Sequence, residues 1–146
     1  MTTKLGLECV LHINTGSYAS PTWIAVENTK EVTLNLTKGE ADFSRRGGGG
    51  WKATRSTLKD ASVDFSMVWD NEDTDMELIR DAFFGDDPTE FAALDGPVAT
   101  SGSEGLRATM EIFSFSRGES LEDAVMVNIT IKPSPAANNP EWMEVA

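Results

Sequence analysis

Residues 44–54 read SRRGGGGWKAT, so two arginines, four glycines, a tryptophan and a lysine fall in one short stretch. Three kinds of chemistry use such a combination. A phosphate-binding loop needs glycine directly before its lysine and a helix after it. Here Trp51 precedes Lys52, and the residues beyond lead toward a strand. Gly48, Gly50 and Ala53 satisfy the letters of a dinucleotide fingerprint, but no helix follows whose N-terminus could receive a pyrophosphate, so the glycine run alone produces the match. An arginine and glycine segment with one aromatic can hold single-stranded nucleic acid by charge and stacking. One short copy on an acidic chain gives poor net attraction for phosphates.

Other reactive residue types are sparse. The single histidine, His12, is expected on a strand face opposite Leu11 and Ile13, as a surface or half-buried side chain with no partner for a triad or metal cluster. The single cysteine, Cys9, excludes an internal disulfide and is expected as a small buried thiol on the apolar face of the same strand. Asp70, Glu72, Asp73 and Asp75 lack the glycine that a calcium loop needs at its sixth position, where Asp75 stands. They suit the start of a helix instead. Asn35-Leu36-Thr37 and Asn128-Ile129-Thr130 spell glycosylation acceptors, but both touch strands. No catalytic residue, metal site or cofactor is expected.

The charge is unevenly distributed. The chain of 146 residues carries a net charge of −12, yet residues 43–59 hold Arg45, Arg46, Lys52, Arg55 and Lys59 and no acid. That stretch is therefore +5 and the rest is −17. No apolar run approaches the roughly 20 residues that cross a bilayer, so membrane insertion is not expected. The opening Met1-Thr2-Thr3-Lys4-Leu5 enters an alternating pattern without an export signal.

Alternation of period two dominates the elements that must position these groups. KLGLECVLHI places Leu5, Leu7, Cys9, Leu11 and Ile13 on one face, and EVTLNL does the same with Val32, Leu34 and Leu36. ASVDFSMVW and AVMVNITIK are the clearest strands, and TWIAV (22–26) is a weaker one. In LRATMEIFSFS (106–116) the apolar parity switches from Met110 and Ile112 to Phe113 and Phe115, which predicts a β-bulge or a strand buried on both faces. Helical spacing occurs once, in EDTDMELIRDAFFG, where Met76, Ile79 and Phe83 share a face with Ala82, Thr74 and Glu77 have capping-box spacing, and Gly85 closes the pattern. The expected fold is mainly β, an antiparallel β-barrel or β-sandwich with one flanking α-helix, in a single domain over 1–146. Residues 37–60 show neither periodicity and are expected as a long loop, and the proline-rich segment 133–146 as an extended arm.

A flexible basic loop with a rigid aromatic, carried on an acidic body, is complementary to a different surface on another copy of the same chain. Such contact is head to tail, and it closes into a ring or stacks into a filament. Trp23 leading into a strand, Asp42 near a strand end, then the arginine and glycine segment, "GW", LKDASVDFSMVWD, the helix and EDAVMVNITIKPS follow one another in an order that covers nearly the whole chain. In that order and spacing the sequence resembles the tail tube (major tail) proteins of long-tailed bacteriophages.

The resemblance implies a structural virion protein: hexameric rings stacked into a hollow tail tube through which DNA passes without specific binding. No enzymatic activity or cofactor is implied. Its partners would be further copies of itself, with tail-tip, tail-terminator and tape-measure proteins; it would be made in the host bacterial cytoplasm and reside in the virion. By the same resemblance, the long loop reaches an adjacent ring. Phe43, Arg45, Arg46, Gly47, Gly48, Gly49, Gly50, Trp51, Lys52, Arg55 and Leu58 are then the assembly residues, and Asp64 and Asn128 are candidates for the lumen lining. Two alternatives stay open: the tube of a bacterial contractile secretion system, and a monomeric β-sandwich that binds a ligand through an aromatic cluster of Trp23, Trp51 and Trp142.

Overall fold

The computed structural model describes residues 3–85 and 88–146, so Met1 and Thr2 of the opening alternation lie outside the described residues. The strands are β1 Val10–Asn14, β2 Trp23–Ala25, β3 Thr29–Asp42, β4 Thr54–Val68, β5 Thr89–Leu94, β6 Glu104–Gly118, β7 Met126–Pro133 and β8 Glu141–Glu144. The helix α1, Thr74–Gly85, stands between β4 and β5. All pairings are antiparallel, in the order β2-β1-β5-β6-β7-β4-β3. β8 follows β7 along one edge of β6, because β7 pairs with Met110 to Gly118 and β8 with Glu104 to Arg107 while β5 takes the other edge.

Chain connectivity forces this sheet to curl. β2 and β3 are its outer strands, yet only Val26, Glu27 and Asn28 join them. Seven flat strands at ~4.8 Å spacing would hold the outer two about 29 Å apart. The backbone from Ala25 to Thr29 reaches at most ~14 Å. The sheet therefore wraps toward closure as a barrel, and the joining residues are tied to both sides: Val26 donates its N–H to the Leu11 carbonyl at 2.8 Å, and Asn28 accepts from the Val68 N–H at 3.1 Å.

The concave face holds the core. Leu11 and Ile13 of β1, Val63, Phe65 and Met67 of β4, Phe91 of β5, Met110 of β6 and Ile129 and Ile131 of β7 are buried together, with Met76 and Ile79 of α1. Each such side chain contributes about 1.5–3 kcal/mol by leaving water. α1 packs on β6, and its first turn is capped by Asp73, whose carboxylate accepts the Asp75 N–H at 3.1 Å. The cap is therefore one residue earlier than the Thr74 and Glu77 spacing suggests. The parity switch in β6 is a register slip between Ile112 and Ser114, which turns Phe113 outward.

Close packing of β5 on β6 depends on Gly105, since a Cβ there would overlap the Ala93 carbonyl and approach Leu94 Cα at 3.0 Å. Backbone on the far side of a strand pair cannot yield as a side chain can. Gly105→Ala is expected to cost about 3 kcal/mol or more in urea unfolding.

Several expectations are corrected. The first strand begins at Val10, preceded by one 3-10 turn at Gly6–Glu8, so Leu5, Leu7 and Cys9 are exposed because nothing lies beneath their alternation. His12 is buried, 1% exposed, because the connection from β5 to β6 folds over it. β5 is an additional strand, buried on both faces and so lacking alternation. Residues 37–60 are mostly a hairpin stem, with Thr37 opposite Asp60 and Asp42 opposite Thr54. Only 43–53 lies between the strands. In the C-terminal segment Pro135 and Pro140 flank the break in the ladder, yet Glu141–Glu144 rejoins the sheet as β8.

Candidate functional site

β3 and β4 run past the body of the sheet as a two-stranded hairpin. From Asp42 to Asp60 every residue is exposed except the half-buried Gly48. Its stem pairs regularly apart from a register slip between Lys38 and Glu40, at Gly39, where a Cβ would strike the Thr57 hydroxyl. The tip is organised. Phe43 donates its N–H to the Ala53 carbonyl at 2.9 Å, and the Ser44 hydroxyl accepts the Ala53 N–H at 2.9 Å. Ser44 also hydrogen-bonds the Asp42 carboxylate, which holds that carboxyl below its ordinary value. A single 3-10 turn, Arg46–Gly48, then leads into Gly49 and Gly50 at φ 69° and 82°. Those two positions need glycine. Gly47 and Gly48 have ordinary φ and open surroundings, so the backbone does not require glycine there.

Side chains on this hairpin are left unsatisfied by the chain itself. Trp51 is 82% exposed and Leu58 84%, and Phe43 is exposed with them. Among the described residues, the salt bridges are Arg80 with Asp81, Arg107 with Glu90 and Arg117 with Glu119. None includes Lys38, Arg45, Arg46, Lys52, Arg55 or Lys59. Lys38 and Lys59 even stand directly opposite each other across the stem, an arrangement that costs stability unless anions from elsewhere approach.

Asp64 and Asn128 lie apart from the tip, on one outward face of β3, β4, β7 and β6. Its rows are Thr33, Asp64, Thr130, Ser114 and Glu31, Ser66, Asn128, Ser116. Asp64 accepts from the Thr130 hydroxyl at 2.6 Å and from Asn35 at 3.2 Å. Short hydroxyl and amide side chains make this face polar, with a shallow depression lined by Thr33, Asp64, Ser114 and Asn128.

The convex face of β1, β5, β6 and β8 carries a second row, His12, Ala92, Arg107, Glu141, which no motif in the sequence marks. Arg107 pairs with the buried Glu90, lies 3.9 Å over the Tyr18 ring and donates to the Tyr18 carbonyl at 2.6 Å. Trp23 is on this face beside Arg107, whereas Trp142 pairs with Leu106 on the core side and Trp51 is at the hairpin tip. The three tryptophans therefore form no common ligand cluster.

His12 Nε2 accepts the Val98 N–H at 3.2 Å, while its Nδ1 has no partner. Burial pushes the imidazole below its ordinary value, against the pull of the Ala92 and Val10 backbone. The unfolded chain thus takes up the proton first, so this contribution to stability is complete above about pH 6.5 and declines as the pH falls toward the depressed folded value. The melting temperature is expected to drop between about pH 6.5 and 5, with a flatter profile in His12→Gln. Equal slopes in the two proteins would refute that assignment.

Neither protein-family profiles nor curated proteins match the chain. Solved structures do. The tail of an empty gene transfer agent particle with C6 symmetry overlays with a TM-score of 0.74 at 16% identity, covering 99% of this chain and 100% of that one. The SPP1 tail tube gives 0.68 at 14% identity over 89% of this chain and 75% of that one. The sheath-tube complex of an extracellular contractile injection system gives 0.63 at 7% identity over 94% and 89%. A curled antiparallel sheet, one flanking helix and the projecting hairpin together make this the fold of the tail tube proteins.

Proposed function

We propose that the chain is a structural, non-enzymatic subunit of a phage-type tail tube, and that its hairpin is the assembly arm. The supporting observation is the tip itself: a tryptophan, a phenylalanine, a leucine and unpaired cations stand away from the core in a segment that its own backbone hydrogen bonds keep ordered. A monomer gains nothing from that surface. In an assembly, Trp51 buries area against a neighbour, while Arg45, Arg46, Lys52 and Arg55 meet carboxylates. Six copies would form a ring, as in the C6-symmetric tail that the fold overlays, and rings would stack into a hollow tube.

The polar face with Asp64 and Asn128 suits the lumen. Acids and short polar side chains there would let genomic DNA slide through without adhering. Tail-tip, tail-terminator and tape-measure proteins would bind the ends and interior of such a tube. The virion tail would then be the place of function, after synthesis in the host cytoplasm. Negative-stain electron microscopy of the purified protein across concentration and salt tests the reading. Hollow tubes or stacked rings are the expected result, and monomers at every condition would overturn self-assembly of the chain.

A further inference from the structure

The hairpin tip and the start of α1 stand at opposite ends of β4, and their charges are opposite. β4 has 15 residues, so its ends lie about 46 Å apart at ~3.3 Å per residue. At the Val68 end three connections converge. Val68 donates its N–H to Asn28, it precedes the Trp69 to Asp73 link into α1, and it pairs with Met126 beside the turn from β6 to β7. These connections and the first turn of α1 bring Glu27, Glu72, Asp73, Asp75, Glu122 and Asp123 to one end of the molecule.

The cation that stands at this end, Arg117, is taken up by Glu119 and the Trp69 ring, so it leaves these acids without an ion-pair partner among the described residues. Asp75 is only 9% exposed, and no donor or cation among the described residues pairs with its carboxylate. Burial, Asp73 and Glu27 push that carboxyl above its ordinary value. No group of three ligating side chains among the described residues has the geometry to hold a metal ion. Leu121, 98% exposed, supplies an apolar contact in the neighbouring turn. Among the described residues, cations outside any salt bridge thus surround an exposed tryptophan at one end, and carboxylates outside any salt bridge share the other end with an exposed leucine.

We propose that the hairpin tip of one copy docks on the acidic α1 end of a second copy, so that copies join head to tail along the direction of β4. The inference rests on the tube reading and specifies which surface of the next copy receives the arm. Arginine forks satisfy the crowded carboxylates, and the glycine turn lets the backbone approach closely. Because the donor and acceptor ends lie at opposite ends of β4, the contact is heterologous, and copies displaced along that direction stack one on the next.

Paired charge reversals test this. Arg45→Glu with Arg46→Glu, and separately Glu27→Lys with Glu72→Lys, are each expected to raise the concentration needed for pelletable assembly by about tenfold or more. All four positions are exposed, and circular dichroism checks that both variants fold. An equimolar mixture should regain assembly, because each variant then presents the charge that the other's altered end requires. An acid-end variant that assembles like the wild type would overturn the proposal, and so would a mixture as defective as its components. Should the wild type form no assemblies, the tube reading fails separately. Sedimentation of the wild type then decides the contact: concentration-dependent oligomers that the acid-end reversal abolishes support it, and monomers at every concentration overturn it.

Discussion

Replacing Arg45, Arg46 and Trp51 together by alanine is expected to abolish tube growth while leaving the monomer's unfolding free energy within about 0.5 kcal/mol of the wild type. The small effect on folding follows from exposure. Trp51 is 82% exposed, neither arginine is in a salt bridge among the described residues, and the tip's hydrogen bonds run through the backbone and Ser44. The large effect on assembly follows from repetition. A buried interface tryptophan or arginine typically accounts for 2 kcal/mol or more, and in a polymer the loss recurs at every subunit. Each 1.4 kcal/mol raises the critical concentration about tenfold, so three such losses put assembly beyond reachable protein concentrations. Pelleting and electron microscopy read the assembly, and circular dichroism and urea unfolding read the fold. Normal tubes from the triple variant would remove the hairpin from the assembly mechanism. A collapsed spectrum would show that the tip is part of the folding unit.

Where one face of a strand meets the core, the sequence is legible. Val63, Phe65 and Met67 alternate with Ser62, Asp64 and Ser66 because only one side of β4 is covered there, and the β-bulge at Ile112 is visible as a parity switch. Legibility fails where both faces have the same surroundings. β5 is buried on both sides, so Glu-Phe-Ala-Ala-Leu has no period, and the hairpin stem is exposed on both sides, so 37–42 and 54–60 have none either. Leu5, Leu7 and Cys9 fail for a different reason. They alternate as a strand should, but no sheet partner lies beside them, and pattern cannot supply a missing neighbour. The cluster at the hairpin tip was legible through composition: cations without acids around a tryptophan stand out in an otherwise acidic chain. The acidic end opposite was not, because Glu27, Asp75 and Asp123 are far apart in sequence and come to one end only through the register of β4 with β3 and β7.

Arg107→Met lowers stability by about 3–5 kcal/mol, the largest loss expected from one polar side chain in this fold. Glu90 is 8% exposed and has the Arg107 guanidinium as its ion-pair partner, so removing the cation leaves a carboxylate buried in a place water reaches poorly. The same arginine ties three other parts of the chain together. It lies over the Tyr18 ring and near Trp23, donates to the Tyr18 carbonyl, and thereby holds the connection from β1 to β2 against β6, while the Tyr18 hydroxyl donates to Glu141 of β8. Losing Arg107 therefore releases the 15–22 connection and weakens the docking of β8, beyond the cost of the stranded charge. Arg107→Met with Glu90→Leu separates the two contributions. It removes the buried carboxylate, so chemical denaturation should show most of the ion-pair loss recovered, because a well-packed apolar pair is often no less stable than a buried ionic one. The Tyr18 contacts stay lost in both variants, and the stability that the double variant fails to recover measures them. If the double variant is as unstable as Arg107→Met, the stacking and carbonyl contacts, and not the ion pair, hold this face of the sheet.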